Sequence, residues 1–157
     1  LRRLRAIRHS LTQKSIFMLV HSIICNKIDY CNSVLYGASR FKLDRLQSIL
    51  NAAARIILRI PKLSHISASI RDELHWLPVR FRPEFKICLF VRNCLVGTAP
   101  AYLQELCVGV SSNADRRSLR SASRGDLVVP RADTTRFGRR GFSVSSGIPY
   151  HRRFNKA

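Results

Sequence analysis

The chain has 157 residues, 46% of them apolar, which is enough for one domain with an ordinary core and at most an extension. Its 28 Lys and Arg against nine Asp and Glu leave a formal net charge of +19, an excess that repels itself in a compact state and calls for a polyanion. Five cysteines, an odd number with no C-x-x-C pair, exclude a secreted disulfide framework, and no apolar run is long enough to span a bilayer.

Nucleic acid is the first polyanion to consider, because each neutralised phosphate releases a condensed counterion; an anionic membrane surface is the competing one. Residues 1–107 carry 17 basic and 6 acidic groups, and residues 108–157 carry 11 and 3, all but one of those 11 being Arg. Arg suits bidentate phosphate contact and stacking on bases.

The elements follow in chain order. Leu4, Ile7 and Leu11 recur at helical spacing, with Arg2, Arg3, Arg5 and Arg8 on other faces. Thr12 is placed to cap a second helix, whose apolar residues Ile16, Val20, Ile23, Ile24, Ile28, Cys31 and Leu35 keep the same period up to Gly37. Lys27, Asp29 and Tyr30 interrupt that stripe and predict two helices meeting at a corner. The first 28 residues are Arg-rich, contain Ser and lack acids, as in a mitochondrial transit peptide, but they fit the start of a helix pair better. No initiator Met is present, so a fragment is expected.

Ser39 can cap a third helix along which Leu43, Leu46, Leu50, Ala53, Ile57 and Ile60 form a continuous stripe. Ala52, Ala53 and Ala54 let a neighbour approach closely, and Pro61 is the expected stop. Arg55 and Arg59 are four apart on one side of this helix, either a phosphate clamp or a solvated polar face. Ser67 then caps a short helix carrying Ile70 and Leu74, which leads into His75-Trp76-Leu77-Pro78, a buried corner with His75 expected in the core. The next helix holds Phe85, Ile87, Leu89, Phe90, Val91, Cys94 and Val96 over most of its circumference and is therefore expected to be the central one. Pro83 predicts that it starts late. Gly97 ends it, and Pro100 opens a last helix anchored by Tyr102, Leu103 and Leu106.

After Cys107 the texture turns to Ser, Arg and Gly, with residues 108–126 reading as a linker. Leu127-Val128-Val129-Pro130 and Phe142-Ser143-Val144 suit short extended pieces, too small to hold a sheet. The predicted architecture is mainly α: an irregular multi-helix bundle over residues 1–107 and a basic, loop-rich, poorly ordered tail over 108–157.

No residue set in the chain matches a catalytic pattern. Phosphoryl transfer on two metals needs converging carboxylates, and no Asp-Asp or Asp-x-Asp occurs; a Walker loop and a G-x-S-x-G are also missing. Cys88, Cys94 and Cys107 with His75 make a poor zinc set, since C-x5-C on one helix points its thiols apart. What remains is a binding surface. Arg116, Arg117, Arg120 and Arg124 begin a run of arginines that continues to Arg152-Arg153, with Phe137, Phe142, Tyr150 and Phe154 between them. Basic residues interleaved with rings suit single-stranded or irregular nucleic acid, and a solvated basic tail is the plain alternative. The candidate contacts are Arg55, Arg59, Arg116, Arg117, Arg120 and Arg124.

Three stretches, in order, carry a family resemblance: Ile28-Asp29-Tyr30-Cys31-Asn32-Ser33-Val34-Leu35-Tyr36-Gly37; Asp44-Arg45-Leu46-Gln47 running to Asn51-Ala52-Ala53-Ala54-Arg55; and Leu74-His75-Trp76-Leu77-Pro78-Val79. Glu84-Phe85-Lys86, Gly97-Thr98-Ala99-Pro100-Ala101-Tyr102-Leu103, Arg117-Ser118-Leu119-Arg120-Ser121 and Val129-Pro130-Arg131 continue it to about residue 146. The ordered set resembles the region downstream of the polymerase core in non-LTR (LINE, jockey-like) retrotransposon reverse transcriptases. The resemblance implies a parent RNA-directed DNA polymerase whose magnesium-binding palm lies before Leu1. This chain would then be its thumb and following helices, without catalytic residues or cofactor of its own, gripping template–primer or element RNA in the nucleus or cytoplasm. Ser146-Gly147-Ile148-Pro149-Tyr150 replaces the family's Trp-Asn-Ser-Leu-Pro, as a decaying copy would. The rival readings are a decayed fragment without function and an independent basic interaction protein, mitochondrial or ribosome-associated. Free thiols point to a reducing, intracellular compartment.

Overall fold

The computed structural model describes residues 1–110, 127–131 and 141–146, and they are mainly helical. No strand occurs among them, only a single antiparallel bridge between Gly109 and Leu127. Helix α1 (Arg2–Ile7) buries Leu4 and leaves Ile7 exposed. Thr12 caps α2 (Gln13–Val20) as its sequence position predicts, its Oγ1 accepting the Ser15 N–H at 3.2 Å.

The helix continues through a wider π turn, His21–Cys25, into α3 (Asn26–Asp29), the Asn26 N–H reaching back five residues to the His21 carbonyl. The wider turn rotates the register. Ile16, Val20, Cys25 and Ile28 share the buried face, while Ile23, which regular spacing puts there, is exposed. The predicted corner follows: Tyr30 is extended, Cys31 has φ 51°, and Asn32–Leu35 form one 3-10 turn. Cys31 accordingly leaves the apolar face and is exposed.

Helix α4 (Arg40–Leu58) is the longest element and buries Leu50, Ala53, Ala54, Ile56 and Ile57. Ser39 holds the N-cap position without a side-chain bond. The helix ends before Pro61 is reached, because Arg59 turns left-handed at φ 57°. Helix α5 (Ser67–Asp72) has Ile66, not Ser67, at its N-cap. Trp76 is buried as expected and packs on Phe17 with ring centroids 6.3 Å apart, but His75 is exposed in the left-handed region at φ 53° and is no core residue.

A 3-10 turn, Val79–Phe81, leads into α6 (Arg82–Val96). Pro83 does not delay this helix, since proline is tolerated in the first turn, where N–H groups have no intrahelical acceptor. Nor is α6 the central helix. It buries a single stripe, Pro83, Ile87, Val91 and Cys94, and leaves Phe85, Leu95 and Val96 exposed. Gly97 ends it at φ 78°. Helix α7 (Ala101–Gln104) follows Pro100 as expected, but its presumed anchors Tyr102 and Leu106 are exposed. Residues Phe142–Ser145 form a helical turn, α8, rather than an extended piece. A lone extended segment has no ladder to satisfy its backbone, whereas here Ser145 and Ser146 donate to Gly141 and Phe142 carbonyls at 2.9 and 2.8 Å.

The chain forms two compact units. The first unit comprises residues 1–32 and 38–82, and the second residues 33–37 and 83–157. In the first, α4 is the centre of one apolar cluster that runs from Leu4 and Val20 through Leu50 and Ile57 to Ile70, Trp76 and Val79. In the second, Leu127 packs on Ile87 and Val91 with Tyr36, Cys107 and Phe142 around them. Residues beyond the expected linker thus share a core with α6.

Candidate nucleic-acid interface

Of the six candidate contacts, Arg116, Arg117, Arg120 and Arg124 lie outside the described residues. Arg55 lies in the last turn of α4 and Arg59 at its C-cap. Their four-residue interval places them on one helix side only if both are helical, and Arg59 is the left-handed cap. Arg55 is half-buried and its Nη2 donates to the Ser64 carbonyl at 3.1 Å, so it ties α4 to the following loop; its Nε is buried with no acceptor. Arg59 itself is exposed.

Residues 28–32 of the first family-like stretch, and the whole of the second and third, lie in the first unit, where their polar residues hold structure. Arg82 donates through Nη1 to both Asp29 oxygens, at 2.8 and 2.7 Å, and through Nε to the Leu77 carbonyl at 2.7 Å. It thereby joins the Ile28–Gly37 stretch to the Trp76-Leu77-Pro78 corner across 53 residues. Asn32 adds a longer bond to Asp29. Gln47 Oε1 accepts the Val79 N–H at 2.8 Å while its Nε2 donates to Asn51 Oδ1 at 2.7 Å, fastening the second stretch to the third. Cys25 sits beside this pair. Burial pushes its thiol above the ordinary value, partly offset by the Arg82 charge.

The first unit holds 15 basic side chains and 4 acidic ones. Only three ion pairs occur among the described residues: Arg40–Asp44 at 3.7 Å, Arg71–Asp72 at 2.7 Å and Arg82–Asp29 at 2.7 Å. Exposed cations such as Lys14, Lys42, Arg45, Arg59, Lys62 and Arg80 therefore face solvent with no carboxylate partner among the described residues. Two of them lie over rings: Arg45 is 5.8 Å from the Phe41 centroid, and Arg80 is 4.3 Å from that of Phe81. Phe41 is 71% exposed, large for an aromatic side chain on a helix start. The sequence carries this signal as a Phe and an Arg four apart on a helix, beside its apolar stripe.

Beside this face lies a groove of about 320 Å³. Leu43, Asp44, Gln47 and Asn51 of α4 form one wall, and Ser67, Ile70, Pro78 and Arg80 form the other. Asp29 is held by Arg82, Asp72 by Arg71, and no group of three His, Cys, Asp or Glu converges among the described residues. The Arg71 bond lowers the Asp72 carboxyl from its ordinary value. All five cysteines are free. Burial and a hydrogen bond with Cys94 push the Cys107 thiol up to about 12. No helix among the described residues is long and apolar enough to cross a membrane.

No protein-family model, characterised protein or solved structure matches this chain.

Proposed function

We propose that this chain is a non-catalytic nucleic-acid-binding part of a retrotransposon RNA-directed DNA polymerase, gripping template–primer or element RNA in the nucleus or cytoplasm. The observation that carries the reading is electrostatic. Fifteen basic against four acidic side chains in the first unit, most of the basic ones exposed and without carboxylate partners, form a surface with a large unspent attraction for phosphate. The ordered family-like stretches support the polymerase context, and their polar residues serve the fold that displays this charge. The exposed Phe41–Arg45 pair, and Arg80 over the half-buried Phe81, add stacking capacity of the kind that single strands and irregular RNA use. The polymerase palm would be the chain's partner, with the metal chemistry confined to it.

The test is fluorescence anisotropy with a labelled RNA/DNA primer–template over a salt series. Binding should weaken linearly in log–log form, losing roughly a thousandfold or more between about 50 and 200 mM salt if six or more phosphates are engaged. Affinity that stays level across that range would refute the reading.

A further inference from the structure

The groove of the first unit has a chemistry distinct from the basic surface around it. At about 320 Å³ it lies at the small end of ligand pockets, which run from about 300 to 1,000 Å³. Leu43, Ile70 and Pro78 give it apolar sides, and Asp44 on one wall and Arg80 on the other give it one charge of each sign. A flat group that presents N–H donors to Asp44 would be attracted, with its own phosphate on Arg80 of the opposite wall and on Arg45 beyond the groove.

Hydrogen-bond accounting narrows the choice. Gln47 is committed at both ends, to Val79 and to Asn51. Asn51 accepts from Gln47 through Oδ1 and keeps its Nδ2 donors, two helical turns from Asp44 or about 10 Å along the axis. The Asp44 carboxylate is 67% exposed and its contact with Arg40 is a long 3.7 Å, a weak surface pair that a better donor can replace. The groove thus presents an acceptor at one end and a donor at the other. Among the four bases only guanine shows a carboxylate two adjacent donors, N1–H and the N2 amine, with acceptors on its opposite edge. Adenine and cytosine turn a ring lone pair toward it, and uracil flanks its one donor with carbonyls.

We propose that this groove receives an unpaired guanine of a single-stranded nucleic acid, with Asp44 accepting from N1–H and N2 and Asn51 Nδ2 donating to the far edge. The proposal rests on the nucleic-acid-binding reading and adds a base preference to it.

The experiment uses the full 157-residue chain and two fluorescein-labelled RNAs, a short oligouridylate and the same strand with one central guanosine. The guanosine strand should bind about tenfold tighter, a bidentate base contact being worth about 1–3 kcal/mol and tenfold being about 1.4. Replacing guanosine by inosine, which lacks the N2 amine, should remove most of the gain. Asp44→Asn should equalise the two strands without weakening oligouridylate binding, since it removes a negative charge. Ser67→Phe, which fills the groove and leaves Asp44 in place, should do the same, with Trp76 fluorescence checking that each variant is folded. Equal binding of both strands by the unaltered chain, or a preference that survives Asp44→Asn, overturns the groove assignment alone. Failure of either strand to bind at low salt overturns this proposal and the nucleic-acid reading together.

Discussion

Replacing Arg82 by Met keeps most of the side-chain stem and removes the fork that joins Asp29 to the Leu77 carbonyl. The Arg82 side chain is 10% exposed and makes three bonds of 2.7–2.8 Å, while Asp29 is 43% exposed. Losing one partner of a buried ion pair costs about 3–5 kcal/mol, because the other charge is stranded. Here the carboxylate keeps a wet side, so water recovers part of that loss and about 2–3 kcal/mol is expected. Urea unfolding followed through Trp76 reads this directly: it is the sole Trp and is buried in the same cluster. A double-mutant cycle with Asp29→Asn isolates the pair and should give a coupling of at least about 1 kcal/mol. Arg82→Lys should retain some of the charge attraction and lose the bidentate geometry. A loss below about 1 kcal/mol for Arg82→Met, or additivity in the cycle, would refute the claim that this contact clasps the unit.

The other predictions are shorter. Leu50→Ala empties a fully buried site on α4 and should cost about 3–5 kcal/mol in the same urea assay, whereas a surface-like loss would remove α4 from the centre of the core. Gln47→Leu leaves the part-buried Val79 N–H without its acceptor and should cost about 1–3 kcal/mol. Thiol alkylation near pH 8, mapped by mass spectrometry, should label exposed Cys31 first and Cys107 slowly, because the Cys107 thiol keeps its proton up to about 12. The sign of the linked stability follows. Between the ordinary thiol value of 9.0 and about 12 the folded chain holds a proton that the unfolded chain releases, so stability is full below that window and falls as pH rises through it. Cys107→Ser should flatten that alkaline decline in a pH series of urea melts. Arg45→Ala should weaken nucleic-acid binding and reduce the salt slope by about one, and an unchanged slope would place the phosphate path elsewhere.

Helical class, the Thr12 cap, the corner after Asp29, the α4 stripe, the buried Trp76 and the Gly97 stop were all legible in the sequence. Each depends on side-chain period or on a local backbone rule that acts within a turn or two. The +19 charge was equally legible, and with it the class of partner proposed for the chain. The sequence did not reveal which apolar residues reach the core once the helix is irregular. The π turn at His21–Cys25 exchanges Ile23 for Cys25, and a strict 3.6-residue count cannot register it. The end of α4 was hidden for a related reason: the spacing of Arg59 from Arg55 suits a continuing helix, whereas the left-handed backbone at Arg59 ends it.

Tertiary structure alone decided the polar contacts and the groove. Arg82 with Asp29 and Gln47 with Val79 join residues 53 and 32 apart, and no local pattern specifies which cation meets which carboxylate or which amide meets which N–H. The groove likewise combines Asp44 and Asn51 of α4 with Ser67, Pro78 and Arg80. Sequence therefore determined the elements and the charge, which depend on composition and short-range period. The placement of individual donors and acceptors came from packing, because it depends on distances that exist only once the helices have docked.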